Sequence, residues 1–133
     1  LTDIKDLRDL AVDFLDNGGG SGEEACDYCQ GNRDPRSSDN PDKAIISLKN
    51  DRETEYKVYI AVQNELVAAY NVLRNREFNR LYPNEVISYV EADLRYSDPR
   101  TSADDKASLK EKLDIIKALY PQKLSEAEPS KVN

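Results

Sequence analysis

Between Asp51 and Tyr82, within the longest such stretch of the sequence, the chain carries neither glycine nor proline. Within it Tyr56, Tyr59, Ile60, Gln63, Leu66, Val67, Tyr70, Leu73, Phe78 and Leu81 recur at i, i+3 and i+4 spacing, which lines one face of an α-helix. The spacing predicts one helix of about seven turns. In a chain of 133 residues, enough for one domain of ordinary size, everything else is arranged around that helix.

The flanking segments are shorter. Thr2 reads as an N-cap for Ile4, Leu7, Leu10, Ala11, Phe14 and Leu15, and Asn17-Gly18 reads as the stop, which predicts a first helix over residues 3–16. The run Lys43-Ala-Ile-Ile-Ser-Leu48, bounded by Pro41 and Asn50-Asp51, has strand character and predicts a strand at Ala44, Ile45, Ile46, Ser47 and Leu48. Pro83 is expected at the first position of a helix carrying Val86, Ile87, Val90 and Leu94. After Pro99, Ser102 and Asp105 form a capping box for Leu109, Leu113, Ile116 and Leu119, with Lys110, Lys112 and Lys117 towards the end of that helix. A short strand is expected over residues 122–125, ahead of a polar tail at 130–133.

Residues 18–42 lack any apolar period and hold all five glycines, Pro35, Pro41 and both cysteines. Gly18, Gly19, Gly20 and Gly22 do not form a phosphate loop. No Gly-Lys-Ser/Thr follows, the segment comes after a helix, and Glu23 and Glu24 repel phosphate; a flexible linker is the expectation. Cys26-Asp-Tyr-Cys29 is open to three readings: a local disulfide or plain thiols, half of a zinc site completed by Asp27, Glu24 or a second chain, or a redox dithiol.

Nineteen Lys and Arg against 26 Asp and Glu leave a net charge of −7, which opposes nucleic acid and anionic membrane surfaces. The absence of histidine removes the commonest general base and metal ligand. The acidic pairs Glu23/Glu24, Asp104/Asp105 and Glu126/Glu128 match no calcium loop and read as a solvated face. Tyr56, Tyr59 and Tyr70 read as a core rim, since a stacking platform for nucleic acid needs basic company. No catalytic residue, cofactor site or complete metal set emerges, so the expectation is a binding module and not an enzyme. No run approaches the length of a membrane span. Leu1 and the lack of any Met lead to the expectation of a mature product or a piece of something longer.

Three stretches carry a resemblance: Lys43-Ala-Ile-Ile-Ser-Leu-Lys-Asn-Asp51, Tyr59-Ile-Ala-Val-Gln-Asn-Glu-Leu66 running on to Ala69-Tyr-Asn-Val-Leu-Arg74, and Tyr120-Pro-Gln-Lys-Leu-Ser-Glu-Ala-Glu-Pro129. Together they resemble the periplasmic domain of the ExbD/TolR biopolymer-transport family, in an extended form with longer helices and a Cys-x-x-Cys insertion. The resemblance implies one periplasmic domain over residues 1–133: a first helix (1–17), a Gly/Pro-rich Cys-x-x-Cys loop (18–42), a strand, long helix, helical insertion and terminal strand (43–129), and a tail (130–133).

The fold expected is α+β, with about four helices, one of them long and central, packed on a small few-stranded sheet. In the family two strands usually precede the first helix, so the sheet is expected to be incomplete here. The resemblance further implies a homodimer on the periplasmic side of the inner membrane, anchored by an N-terminal membrane helix outside this sequence that holds the family's proton-carrying Asp. Its partners are ExbB- or TolQ-type membrane subunits and a TonB- or TolA-type transducer, supporting transport across the outer membrane. An oxidising periplasm favours a Cys26–Cys29 disulfide. Ala44, Ile45, Ile46, Ser47 and Leu48 are the expected partner-binding strand edge. The alternative is a soluble thiol- or zinc-dependent protein using Cys26 and Cys29.

Overall fold

A computed structural model describes residues 4–49 and 55–127. In chain order these form α1 (Ile4–Leu15), a single 3₁₀ turn (Gly22–Glu24), β1 (Ile46–Lys49), α2 (Tyr56–Leu81), α3 (Tyr89–Ser97), α4 (Ala103–Leu119) and β2 (Leu124–Ala127). The fold of the described residues is α+β: four α-helices packed with a two-stranded parallel sheet. Thr2, Glu128, Pro129 and the tail at 130–133 lie outside the described residues.

The long helix forms as its spacing predicts, over 26 residues, or about 39 Å of helix. Its buried face is not purely apolar: Arg74 and Glu77 lie on it beside Leu66, Tyr70, Leu73 and Phe78. The helix serves two apolar clusters. One joins Ala11 and Leu15 of α1, Ala44, Leu66 and Tyr70 of α2, and Tyr120. The other joins Phe78 to Ile87, Tyr89, Ala92, Leu113 and Ile116 from α3, α4 and the turn before them. Leu119 packs against both.

The strands pair in the register Ile46 with Leu124 through Lys49 with Ala127, and the Ile46 N–H donates to the Lys123 carbonyl at 2.9 Å. Ile46, Leu48 and Leu124 pack against the first cluster while Ser47 and Ser125 are exposed, the two-residue alternation of a sheet with one covered face. Both strands begin two residues later than the spacing predicts. Ala44 is buried in the core ahead of β1, because the ladder starts only where the Lys123 carbonyl reaches the Ile46 amide. Gln122 and Lys123 likewise precede β2.

The helix expected from Pro83 starts six residues further on. Pro83 sits in a turn closed by the Glu85 N–H on the Tyr82 carbonyl, and Val86 is 96% exposed. Ser88 is the actual cap, its hydroxyl accepting from the Glu91 N–H at 3.1 Å, and the Asn75 side chain of α2 accepts from the Val90 N–H at 3.1 Å. The Ser102 cap of α4 forms as expected, accepting from the Asp105 N–H at 3.1 Å.

Candidate functional site

The Gly-rich segment is anchored, contrary to the flexible linker expected of it. Gly18 turns the chain out of α1 with φ +66°, a conformation glycine adopts without steric cost. Asn17, buried, then acts as the hub of the loop. Its amide donates to the Asp34 and Ser38 carbonyls at 2.9 and 2.8 Å, and its carbonyl oxygen accepts from the Asp34 N–H at 3.1 Å. Gly19 and Gly20 donate to the Ser38 and Asp39 carbonyls, and the Ser38 hydroxyl donates to the Phe14 carbonyl. A side chain on Gly31 would place its Cβ 2.5 Å from the Asp16 carbonyl that the Gly31 N–H bonds, so close approach of two backbones requires glycine there.

Cys26 and Cys29 are joined in a disulfide with a Cα–Cα separation of 5.5 Å, and both are buried. The Arg33 guanidinium donates to their carbonyls at 2.9 and 2.7 Å, from a backbone with φ +54°. Tyr28, between the cysteines, is turned inward. Its hydroxyl donates to the Leu119 carbonyl at 2.5 Å, and its ring meets Tyr120 edge-on with centroids 5.4 Å apart.

Beneath this loop lies a polar network. Arg76 of α2 donates to both oxygens of Asp16 at 2.7 and 3.0 Å, to the Tyr28 carbonyl at 3.3 Å and to the Tyr120 hydroxyl at 2.9 Å. The Tyr120 hydroxyl in turn donates to Asp16, which also accepts from the Gln30 N–H at 3.2 Å. Glu77, fully buried, accepts from Arg76 at 3.1 Å and from Arg80 at 3.0 and 2.6 Å. Arg74 donates to the Tyr120 carbonyl at 3.1 Å.

Burial alone raises the pKa of Asp16, but its bonds from Arg76 and Tyr120 overcome that and hold it below the ordinary carboxylate value. Burial disfavours charge on Arg76 as well; Asp16, Tyr120 and Glu77 together more than offset it, and the guanidinium pKa is raised. Tyr120 is raised by burial and by its bond to Asp16. Tyr28 is pushed up to about 12 by burial and then by the charges of Glu77, Asp42 and Asp16. The arrangement keeps Asp16 ionised and the tyrosines neutral, with both Asp16 oxygens occupied by protein donors. Chemically it is a clamp that ties the end of α1, the cysteine loop, α2 and the end of α4 together.

The remaining candidates from the sequence are scattered. Asp27 is exposed, and the Glu24 carboxylate is held by Lys43 at 2.8 Å and Asn40 at 3.1 Å. Among the described residues no three Cys, Asp or Glu side chains are grouped to hold a metal ion. Glu23, Asp104 and Asp105 are exposed. Tyr56 is 78% exposed whereas Tyr70 is fully buried, its hydroxyl accepting from the Lys123 N–H at 3.0 Å, so the tyrosine stripe is not one continuous surface. A cleft of about 550 Å³ between α3 and α4 includes Arg100 and Lys112, but Asp98 and Glu85 already pair with these cations.

Of the expected strand edge, Ala44 is buried in the core and Ile45 is 58% exposed just ahead of β1. Ile46, Ser47 and Leu48 lie in β1, one edge of which is paired with β2. Spacing could not reveal the Asp16–Arg76–Tyr120 clamp, whose members Asp16 and Tyr120 stand 104 positions apart. The one local signal is a cluster of three arginines, Arg74, Arg76 and Arg80, around Glu77 inside an apolar helical face. No helix among the described residues is long and apolar enough to cross a membrane. Compared with protein-family models, curated proteins and solved structures, the chain finds no match.

Proposed function

We propose that this chain is a non-catalytic interaction domain of the ExbD/TolR type, working on the periplasmic side of the inner membrane in a proton-driven energy-transducing complex. One observation carries the reading. The three stretches on which the resemblance rests come together in space: β1, the part of α2 from Tyr59 to Arg74, and Tyr120 with β2 share a single apolar cluster. Among the described residues β1 pairs with β2 alone, which leaves its second edge without a strand, and strand edges recruit partner strands through main-chain hydrogen bonds. The docking edge is Ile46–Lys49, flanked by the exposed Ile45. Its partner is a TonB- or TolA-type transducer, with a homodimer and ExbB- or TolQ-type subunits completing the assembly.

The test is in the cell. A photo-crosslinking phenylalanine analogue replaces the exposed Ser47 in the full-length protein, and the gene is separately deleted. Light-dependent capture of the transducer, with loss of energised outer-membrane uptake on deletion, is the expected result. Uptake and envelope integrity unchanged by deletion overturn the reading. A thiol- or zinc-dependent function requires Cys26 and Cys29 as thiolates, whereas here the two sulfurs are bonded to each other. Free thiols with about one zinc per two chains would put that function in its place.

A further inference from the structure

We infer that the Cys26–Cys29 disulfide is a redox latch whose state controls the alignment of β2 with β1, transmitted through Tyr28. The path is continuous. The disulfide closes a four-residue turn whose two cysteine carbonyls are gripped by Arg33, and that turn presents Tyr28 inward. Tyr28 holds the end of α4 by its bond to the Leu119 carbonyl and by its ring against Tyr120. Four residues after Leu119, Lys123 ties the start of the sheet to α2: its N–H donates to the Tyr70 hydroxyl, and its carbonyl accepts from the Ile46 N–H that opens the ladder. Opening the disulfide restores backbone freedom to the turn and releases Tyr28 from the junction between α4 and β2.

The chemistry is thiol–disulfide exchange with a dithiol. One thiolate of the dithiol attacks a cysteine sulfur, the Cys26–Cys29 bond breaks, and the displaced cysteine leaves as a thiolate that takes up a proton. The second thiol of the reductant then attacks the mixed disulfide, closing its own S–S bond and freeing the other cysteine as a thiol. Two electrons and two protons pass from the dithiol to the cysteine pair. Both cysteines are nearly inaccessible, at 2% and 3% exposure, so exchange waits on opening of the loop.

The latch is measurable without any partner, so it stands or falls independently of the docking reading. Amide hydrogen exchange is followed by NMR in the full chain, oxidised and then reduced with dithiothreitol. Reduction is expected to speed exchange at Ile46 and Lys123 by about tenfold or more, while Val90 and Ala92, in the second cluster, keep their rates. Tyr28→Ala in the oxidised protein is expected to reproduce that local pattern, and reducing the variant to add little further. Unchanged rates at Ile46 and Lys123 on reduction overturn the latch. So does equal acceleration at all four amides, which makes the disulfide a general staple, or a full additional effect of reduction in Tyr28→Ala, which removes Tyr28 from the path. If Tyr28→Ala does not fold, Tyr28→Phe, which keeps the ring and loses the Leu119 bond, replaces it, with an intermediate acceleration at the same two amides expected.

Discussion

Arg76→Met removes the cation at the centre of the clamp while keeping most of the aliphatic stem. Asp16 then keeps the Tyr120 hydroxyl and the Gln30 amide but loses its counter-ion, with its side chain only 8% exposed. Glu77 keeps Arg80 and loses Arg76. Breaking a buried pair by deleting one partner costs about 3–5 kcal/mol. Because the Arg76 side chain is 28% exposed and Glu77 stays paired, the lower end, about 3 kcal/mol, is the expected loss. Against a typical total of about 5–15 kcal/mol this is a large fraction. Urea unfolding followed by circular dichroism reads it as a lower midpoint at unchanged slope.

The double variant Asp16→Asn/Arg76→Met is expected to lose less than the sum of its singles, since the neutral amide no longer needs the guanidinium. The acid limb adds a second check. The folded pKa of Asp16 is depressed, so its contribution is complete above the ordinary value of 3.8 and is lost as pH falls through the lowered folded value. Asp16→Asn is expected to flatten that limb. A loss below about 1 kcal/mol for Arg76→Met, the scale of a surface ion pair, refutes the reasoning.

Two further expectations follow from the same loop. The raised pKa of Tyr28 means its contribution is complete below pH 10.0 and fades as pH climbs towards about 12; urea midpoints across that window are expected to fall less steeply in Tyr28→Phe than in the parent. Gly31→Ala is expected to cost about 1–3 kcal/mol by forcing its Cβ on the Asp16 carbonyl, whereas Gly22→Asn, at φ +60° with open space around it, is expected to change stability by less than about 1 kcal/mol. Equal losses for the two glycine variants contradict the close-approach argument.

What was legible in the sequence was local. The α2 periodicity, the Asn17-Gly18 stop and the Ser102 cap each depend on residues within a few positions of one another, and each is found as read. The Ser88-Tyr-Val-Glu91 cap is equally local, but Pro83 offers a stronger-looking start, and of the apolar residues that follow it Ile87 and Val90 face the second cluster while Val86 and Leu94 are exposed. The onset of β1 was legible only to within two residues, since the partner strand decides where the ladder begins. The loop differs from its expectation for another reason. Five glycines read as freedom when taken alone, yet with Asn17 bonding three backbone groups four of them, Gly18, Gly19, Gly20 and Gly31, permit tight packing. The clamp was illegible because charged residues on a helix read as its solvent face until a distant Asp and Tyr are known to meet them.

The pairing of Asp16 with Tyr120 across 104 positions, together with a parallel sheet built from β1 and β2, also bears on how the chain is made. The contacts among α2, α3 and α4 are close in sequence and close cheaply, while loop entropy delays the long-range ones. A ribosome delivers Asp16, the cysteine loop and β1 early but withholds Tyr120 and β2 until more than a hundred residues have emerged. Throughout that interval Tyr28 has no seat, and β1 waits without its partner strand. Synthesis therefore leaves the Ile46–Lys49 edge as the segment most in need of protection from neighbouring chains.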